Sequence, residues 1–152
     1  RGPHVMKGYH NNPEANAAVF RGGWLHTGDI ATVDDDGYVQ LAGRLKEMIL
    51  RGGQNVYPND VEEVLQAHPA VSLAAVVGVP DERLGEEVGA AIFPASGTHP
   101  TGEELREFCR GKLAAYKAPR YIWVMDQPLP RNASGKFLKR ELQQSLDIAD
   151  AR

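Results

Sequence analysis

Residues 43–65 read Gly-Arg-Leu-Lys-Glu-Met-Ile-Leu-Arg-Gly-Gly-Gln-Asn-Val-Tyr-Pro-Asn-Asp-Val-Glu-Glu-Val-Leu, and the rest of the chain is organised around them. The apolar triplet Met48-Ile49-Leu50 reads as a short strand running into a Gly52-Gly53 turn. Two adjacent glycines leave a bare backbone that a ligand or another strand can approach closely. Taken alone, the turn is a hairpin-like connection of a common kind. Pro58 opens a helix over residues 58–67, since proline is tolerated in a first turn. Asp60, Glu62 and Glu63 lie near its positive end, where acids are favoured. Val61, Val64 and Leu65 recur at the spacing of a buried stripe, and His68-Pro69 stops the helix. The charged tetrad Arg44-Leu45-Lys46-Glu47 precedes the triplet, and we place a domain boundary near residues 43–46.

Downstream, residues 71–79 and 88–93 are continuous apolar strands, connected by residues 80–85. Thr101-Gly102-Glu103-Glu104 is a capping box for a helix carrying Leu105 and Phe108. Residues 121–125 form a third strand of this set. Residues 137–146 close as a helix with Leu138, Leu142 and Leu146 on one side. The tail, residues 147–152, lacks a pattern and is expected to fray. Upstream, residues 10–20 read as a short helix or irregular turn, packed down by Trp24 and Leu25. Residues 30–33 and 38–42 form a hairpin about Asp34-Asp35-Asp36-Gly37. The three aspartates lack a twelve-residue ligand loop and its closing glutamate, so no metal site is assigned. Helices and strands mix without strict βαβ alternation. The expected fold class is therefore α+β, a small domain of helices on a small β-sheet, preceded by a β-hairpin.

The chain has 152 residues, of which 42% are hydrophobic and 24% charged, an ordinary globular composition. A net charge of −3 argues against a nucleic-acid binder. No apolar run reaches the roughly 20 residues of a transmembrane segment. The single cysteine, Cys109, cannot form an internal disulfide, which fits a reducing, cytoplasmic setting. It follows Leu105 and Phe108 at helical spacing and reads as core, not as a nucleophile.

Three stretches in order carry a family resemblance. Residues 44–65 resemble the hinge and glycine loop of adenylate-forming (AMP-binding) enzymes. Trp24-Leu25-His26-Thr27-Gly28-Asp29 is similar to the ribose-binding motif of that superfamily. Leu129-Pro130-Arg131-Asn132-Ala133-Ser134-Gly135-Lys136 is similar to its catalytic-lysine motif. The pattern resembles most the acyl-CoA synthetases, or fatty-acid–CoA ligases. The beginning, Arg1 to Tyr9, resembles the interior of a longer protein, near the end of the large N-terminal domain. The resemblance then implies three parts: residues 1–43, the β-rich end of that domain; residues 44–146, a mobile C-terminal domain; and the tail.

Several roles follow as implications of the resemblance. Asp29 would accept hydrogen bonds from the ribose hydroxyls of ATP or AMP, and Arg44 would reach ribose or phosphate. Otherwise Asp29 is a turn aspartate and Arg44 a partner in a surface ion pair. Lys46 matches the hinge position and reads equally as a solvated linker lysine. Gly52 and Gly53 would admit the pantetheine arm of coenzyme A, with Arg51, Gln54 and Asn55 flanking. Glu62 matches a glutamate of the motif, though helix-end stabilisation explains it equally well. Lys136 would bridge the substrate carboxylate and the α-phosphate during adenylation. Without the motif, Lys136, Lys139 and Arg140 are a solvated basic run. Lys117 is assigned packing or surface contacts only. The Pro, four residues, Gly-Lys pattern ending at Lys136 also resembles the sites of lysine acylation in this family.

The implied enzyme is an AMP-forming acid–thiol ligase acting in fatty acid metabolism. It would use ATP, coenzyme A and magnesium, the last held mainly by the missing N-terminal domain. Its partners would be a small carboxylate, coenzyme A and that domain, and the isolated fragment is expected to be inactive. Two alternatives stand beside it. One is a stand-alone nucleotide- or partner-binding module without catalysis. The other is an adenylation domain that loads a carrier protein.

Overall fold

The computed structural model describes residues 2–151. Arg1 and Arg152, the outer ends of the expected N-terminal part and tail, lie outside the described residues. The chain divides into two compact units, one ending at Lys46 and the other beginning at Glu47.

The first unit holds a helix and two small hairpins. Helix α1 (Pro13–Val19) starts on Asn12, whose side chain accepts the Ala15 N–H at 3.0 Å. Strands β1 (Phe20–Arg21) and β2 (Trp24–Leu25) pair across Gly22-Gly23, a hairpin the sequence reading lacked. Trp24 is 55% exposed, so it does not pack α1 down as expected. Strands β3 (Asp29–Val33) and β4 (Val39–Arg44) form the expected hairpin. The Asp34 carboxylate organises its turn by accepting the Asp36 and Tyr38 N–H groups. None of the described residues up to Lys46 is buried.

The second unit is an α+β fold built on one sheet. Strands β5 (Ile49–Arg51) and β6 (Gln54–Val56) pair as a tight hairpin. Helix α2 (Pro58–Gln66) follows, with Pro58 at its start. Strands β7 (Val71–Asp81) and β8 (Gly85–Pro94) form a long antiparallel hairpin. Helix α3 (Gly102–Arg110) carries the expected capping box. The Thr101 side chain accepts the Glu104 N–H at 3.2 Å, and the Glu104 carboxylate accepts the Thr101 N–H at 3.4 Å. Strand β9 (Tyr121–Val124) pairs parallel to β8, and helix α4 (Lys139–Ser145) begins two residues later than expected. Along one edge of β8, β5 meets Gly85 and β9 meets residues 89–92; β7 covers the other edge.

Both faces of this sheet are covered, which explains its uninterrupted apolar strands. Ala74, Val76, Ala90 and Ile92 face one way, against Val61 and Leu65 of α2 and Leu105 and Cys109 of α3. Ala75 and Ala91, one residue out of phase, face Leu129 and Leu142, with Phe137 and Leu146 packed alongside. Val61 and Leu65 are fully buried. Each stabilises the fold by about 1.5–3 kcal/mol relative to exposure.

The tail departs from expectation. Residues Ile148–Asp150 form a 3-10 turn capped by the Asp147 side chain, which accepts the Ala149 N–H at 2.9 Å. The indole Nε1 of buried Trp123 donates to the Asp147 carbonyl at 2.6 Å. A buried indole N–H needs an acceptor, and this one fixes the start of the tail. The side chains of Trp123, Gln143, Leu146 and Ile148 border a small cavity of about 80 Å³ beneath it.

Candidate functional site

In the first unit the structure brings together two of the sequence-derived candidates. Asp29 and Arg44 lie opposite one another across β3 and β4, and Arg44 Nε stands 3.0 Å from Asp29 Oδ1. Both side chains keep access to solvent, at 28% for Asp29 and 53% for Arg44. Their pairing is the surface ion pair that sequence reasoning offered for Arg44. It also aligns a carboxylate acceptor with a guanidinium donor on one surface, an arrangement able to bind a diol beside an anion. Lys46 is exposed and is the last residue of the first unit.

In the second unit Gly52 and Gly53 are the two central residues of the β5–β6 turn, with φ of +56° and +83°. Such a two-residue turn requires positive φ at both positions, and glycine supplies it without a Cβ penalty. A Cβ at Gly53 would meet nothing within 4 Å, whereas one at Gly52 would meet Leu84 Cδ2 at 3.0 Å. One glycine thus faces open space and the other a neighbour.

Carboxylates that sequence reasoning missed hold this turn in place. The Gly52 N–H donates to the Leu84 carbonyl at 2.8 Å, and the Leu50 N–H donates to Glu86 Oε2 at 2.7 Å. Arg51, which flanks the turn, is engaged in a two-pronged pair with buried Glu87. Arg120 stands 3.6 Å from the same carboxylate and 3.7 Å from Asp81. The Asp81 carboxyl is held below its ordinary range by the Leu84 and then the Arg83 backbone N–H groups, with Arg120 adding to the effect. The only sequence signal was a pair of adjacent glutamates opening an apolar strand.

Lys136 lies on an ordered hairpin. Arg131 pairs with Phe137, the Asn132 N–H donates to the Lys136 carbonyl at 2.9 Å, and Gly135 takes φ of +82°. Asn132 Oδ1 accepts the N–H groups of Ser134 and Lys136 and the Ser134 hydroxyl. The Arg131 guanidinium covers the Phe137 ring at 4.4 Å. Lys136 is exposed on this hairpin. Among the described residues, this hairpin and the glycine turn share no hydrogen bond or ion pair.

Two further lysines are held in ion pairs. Lys139 is not part of a solvated basic run: it is 16% exposed, with Nζ 2.7 Å from Glu62 Oε1 and 3.2 Å from Glu47 Oε2. Glu62 Oε1 also accepts the Val76 N–H at 2.8 Å, so it ties α2 to β7 and α4 as well as facing a helix start. Lys117 makes a contact of the kind expected for it, a surface ion pair. Its Nζ stands 2.6 Å from Asp60 Oδ2, and this hydrogen bond raises its pKa above the ordinary lysine value. Cys109 is buried in the apolar core, and burial pushes its thiol up to about 11, which fits the core assignment.

The second unit is thus a small sheet covered on both faces, with a glycine turn at one strand end and a lysine hairpin before its last α-helix. The family described as AMP-binding enzyme C-terminal domain matches residues 60–136, and the chain belongs to it. Oxalate–CoA ligase of Arabidopsis thaliana is 51% identical over 144 residues, covering 95% of this chain and 28% of that protein. The structure of o-succinylbenzoate CoA synthetase from Bacillus subtilis, in complex with its acyl-adenylate intermediate, superposes with a TM-score of 0.87. It is 41% identical, over 94% of this chain and 29% of that one. The amide bond synthetase of Marinactinospora thermotolerans gives a TM-score of 0.84 at 42% identity, over 95% and 29%. The chain therefore spans less than a third of the length of the curated relatives it matches.

Proposed function

We propose that the chain is the C-terminal portion of an ATP-dependent acyl-CoA synthetase, an acid–thiol ligase. The observation that carries this is its half-identity to a CoA ligase over nearly its whole length. The first unit fits the end of a larger nucleotide-binding domain. Its described residues include none that is buried, and Val33, Tyr38, Val39 and Leu41 are each at least 65% exposed. Such a surface is usual where another part of a protein covers it.

In the proposed reaction a carboxylate oxygen attacks the α-phosphorus of ATP, and pyrophosphate leaves. Asp29 holds the ribose hydroxyls and Arg44 the adjacent oxygens. The Lys136 ammonium sits between the attacking carboxylate and the α-phosphate, where negative charge gathers in the transition state. The second unit then turns about Lys46, withdrawing Lys136 and presenting the Gly52-Gly53 turn. The coenzyme A thiolate attacks the acyl carbonyl, the thioester forms and AMP leaves. Magnesium would offset phosphate charge. We place its binding mainly in the part of the protein outside this chain.

The acid is chosen by parts of the protein outside this chain. A fatty acid is our first candidate, and the acids of the relatives, oxalate and o-succinylbenzoate, are the next to try. We assign the reaction to the cytoplasm. A second reading, transfer of the acyl group to an amine, draws on the likeness to the amide bond synthetase.

The test is Lys136→Ala in the full-length protein, assayed with a panel of carboxylates. Adenylation, read as pyrophosphate release, is expected to fall by at least about a hundredfold. Thioester formation from supplied acyl-adenylate is expected to survive. Equal loss of both steps would refute the assigned role. Replacing coenzyme A with amines in the second step separates the two acceptors.

A further inference from the structure

We infer that Lys139, clasped between Glu62 and Glu47, is a positioning residue for Lys136. The inference rests on the adenylation role proposed above for Lys136. The 131–137 hairpin has two stems, held by different physics. The first stem enters from Leu129, which is only 3% exposed and packs among Ala75, Ala91 and Leu142. The second stem leaves through Leu138, whose N–H donates to the Pro130 carbonyl at 2.9 Å, and the next residue is Lys139.

Lys139 occupies the first position of α4, the positive end of a helix, where a cation is disfavoured. It is nevertheless only 16% exposed, with its ammonium within ion-pair distance of two carboxylates. Leu142 and Gln143 already dock α4 on the sheet, Gln143 through a 2.6 Å bond to the Gly78 carbonyl. Lys139 therefore adds something other than docking: it fixes the end of α4 nearest Lys136. Its partners make that position consequential. Glu62 belongs to α2, which follows the glycine turn, and Glu47 begins the second unit immediately after Lys46. One ammonium thus links the base of the lysine hairpin to the helix behind the glycine turn and to the start of the rotating unit. A turn about Lys46 would then carry Lys136 with it as a fixed attachment.

The experiment has two arms. In the 152-residue chain, amide exchange is compared among wild type, Lys139→Met, Lys139→Arg and Glu62→Gln. The last keeps an oxygen for the Val76 N–H and removes only the charge. Lys112→Met, a lysine lying over the Phe108 ring, is the control. Lys139→Met and Glu62→Gln are expected to speed exchange of the Lys136 and Leu138 amides about tenfold, leaving core amides of β7 and β8 unchanged. Lys139→Arg is expected to restore protection. In the full-length protein Lys139→Met is expected to lower kcat for adenylation by about tenfold to a hundredfold, with the KM for ATP nearly unchanged. Thioester formation from supplied acyl-adenylate is expected to stay within about twofold of wild type. Unchanged hairpin exchange in both charge-removing variants would overturn the inference, and so would equal loss of both half-reactions. The exchange arm does not depend on catalysis. An active Lys136→Ala enzyme would therefore remove the adenylation role while exchange still decided what Lys139 holds.

Discussion

Placing a side chain at Gly53 separates turn geometry from ligand access. Its φ of +83° costs an L-residue about 1–2 kcal/mol. Against this, Gly→Ala restricts the unfolded chain by about 0.4–1 kcal/mol. No atom lies within 4 Å of the Cβ position, so there is no steric contribution. Gly53→Ala is thus expected to destabilise the second unit by about 1 kcal/mol, a fall in Tm of about 4–8 °C for a domain near that size. Gly53→Asn should lose less, since asparagine tolerates positive φ better than alanine. Thermal melts of the chain by circular dichroism read both values. The same variants in the full-length protein then test function. If coenzyme A passes over this turn, Gly53→Asn keeps the fold and adenylation but slows thioester formation. A wild-type thioester rate in Gly53→Asn would refute the ligand-access reasoning and leave the glycine a turn residue only.

Site-specific acetylation of Lys136 is expected to abolish adenylation and spare the thioester step, because it removes the charge and leaves the hairpin bonds in place; unchanged pyrophosphate release would refute it. Thr101→Ala is expected to destabilise the chain by about 1 kcal/mol through loss of the capping bond, with Thr101→Ser restoring most of it in a denaturant melt. Burial raises the Cys109 thiol from 9.0 to about 11, so the unfolded chain ionises first as pH rises. The native state should lose that contribution between those two pH values, and the stability difference between wild type and Cys109→Ala should show the slope. The 152-residue chain is expected to show no carboxylate-dependent ATP–pyrophosphate exchange.

Local signals were legible in the sequence and long-range ones were not. The α3 capping box, the Pro58 helix start and the Asp34 turn are each complete within a few residues, and each appears where its pattern lies. Strand β6 escaped because Gln54 and Asn55 carry no apolar alternation; the glycine turn alone pairs them with β5. The tail was read as fraying because its anchor, Trp123, lies 24 residues upstream of Asp147. The Asp29–Arg44 pair was named residue by residue, but spacing could not bring the two together. A register shift after Ile30 sets Gly43 opposite Ile30 and Arg44 opposite Asp29. Without that bulge Arg44 would fall on the other face. Lys139 and Glu87 were missed for a similar reason, since their partners come from other elements.

The burial of Trp123 has an optical consequence. The chain has two tryptophans, one in each unit, and they sit in opposite surroundings: Trp24 is 55% exposed and Trp123 only 4%. Iodide in solution should quench the first emission and leave the second nearly untouched. Emission from Trp123 should be the bluer of the two, and should shift red when the tail peels away from its indole. With Trp24 replaced by phenylalanine, the remaining signal is a label-free reporter of the second unit.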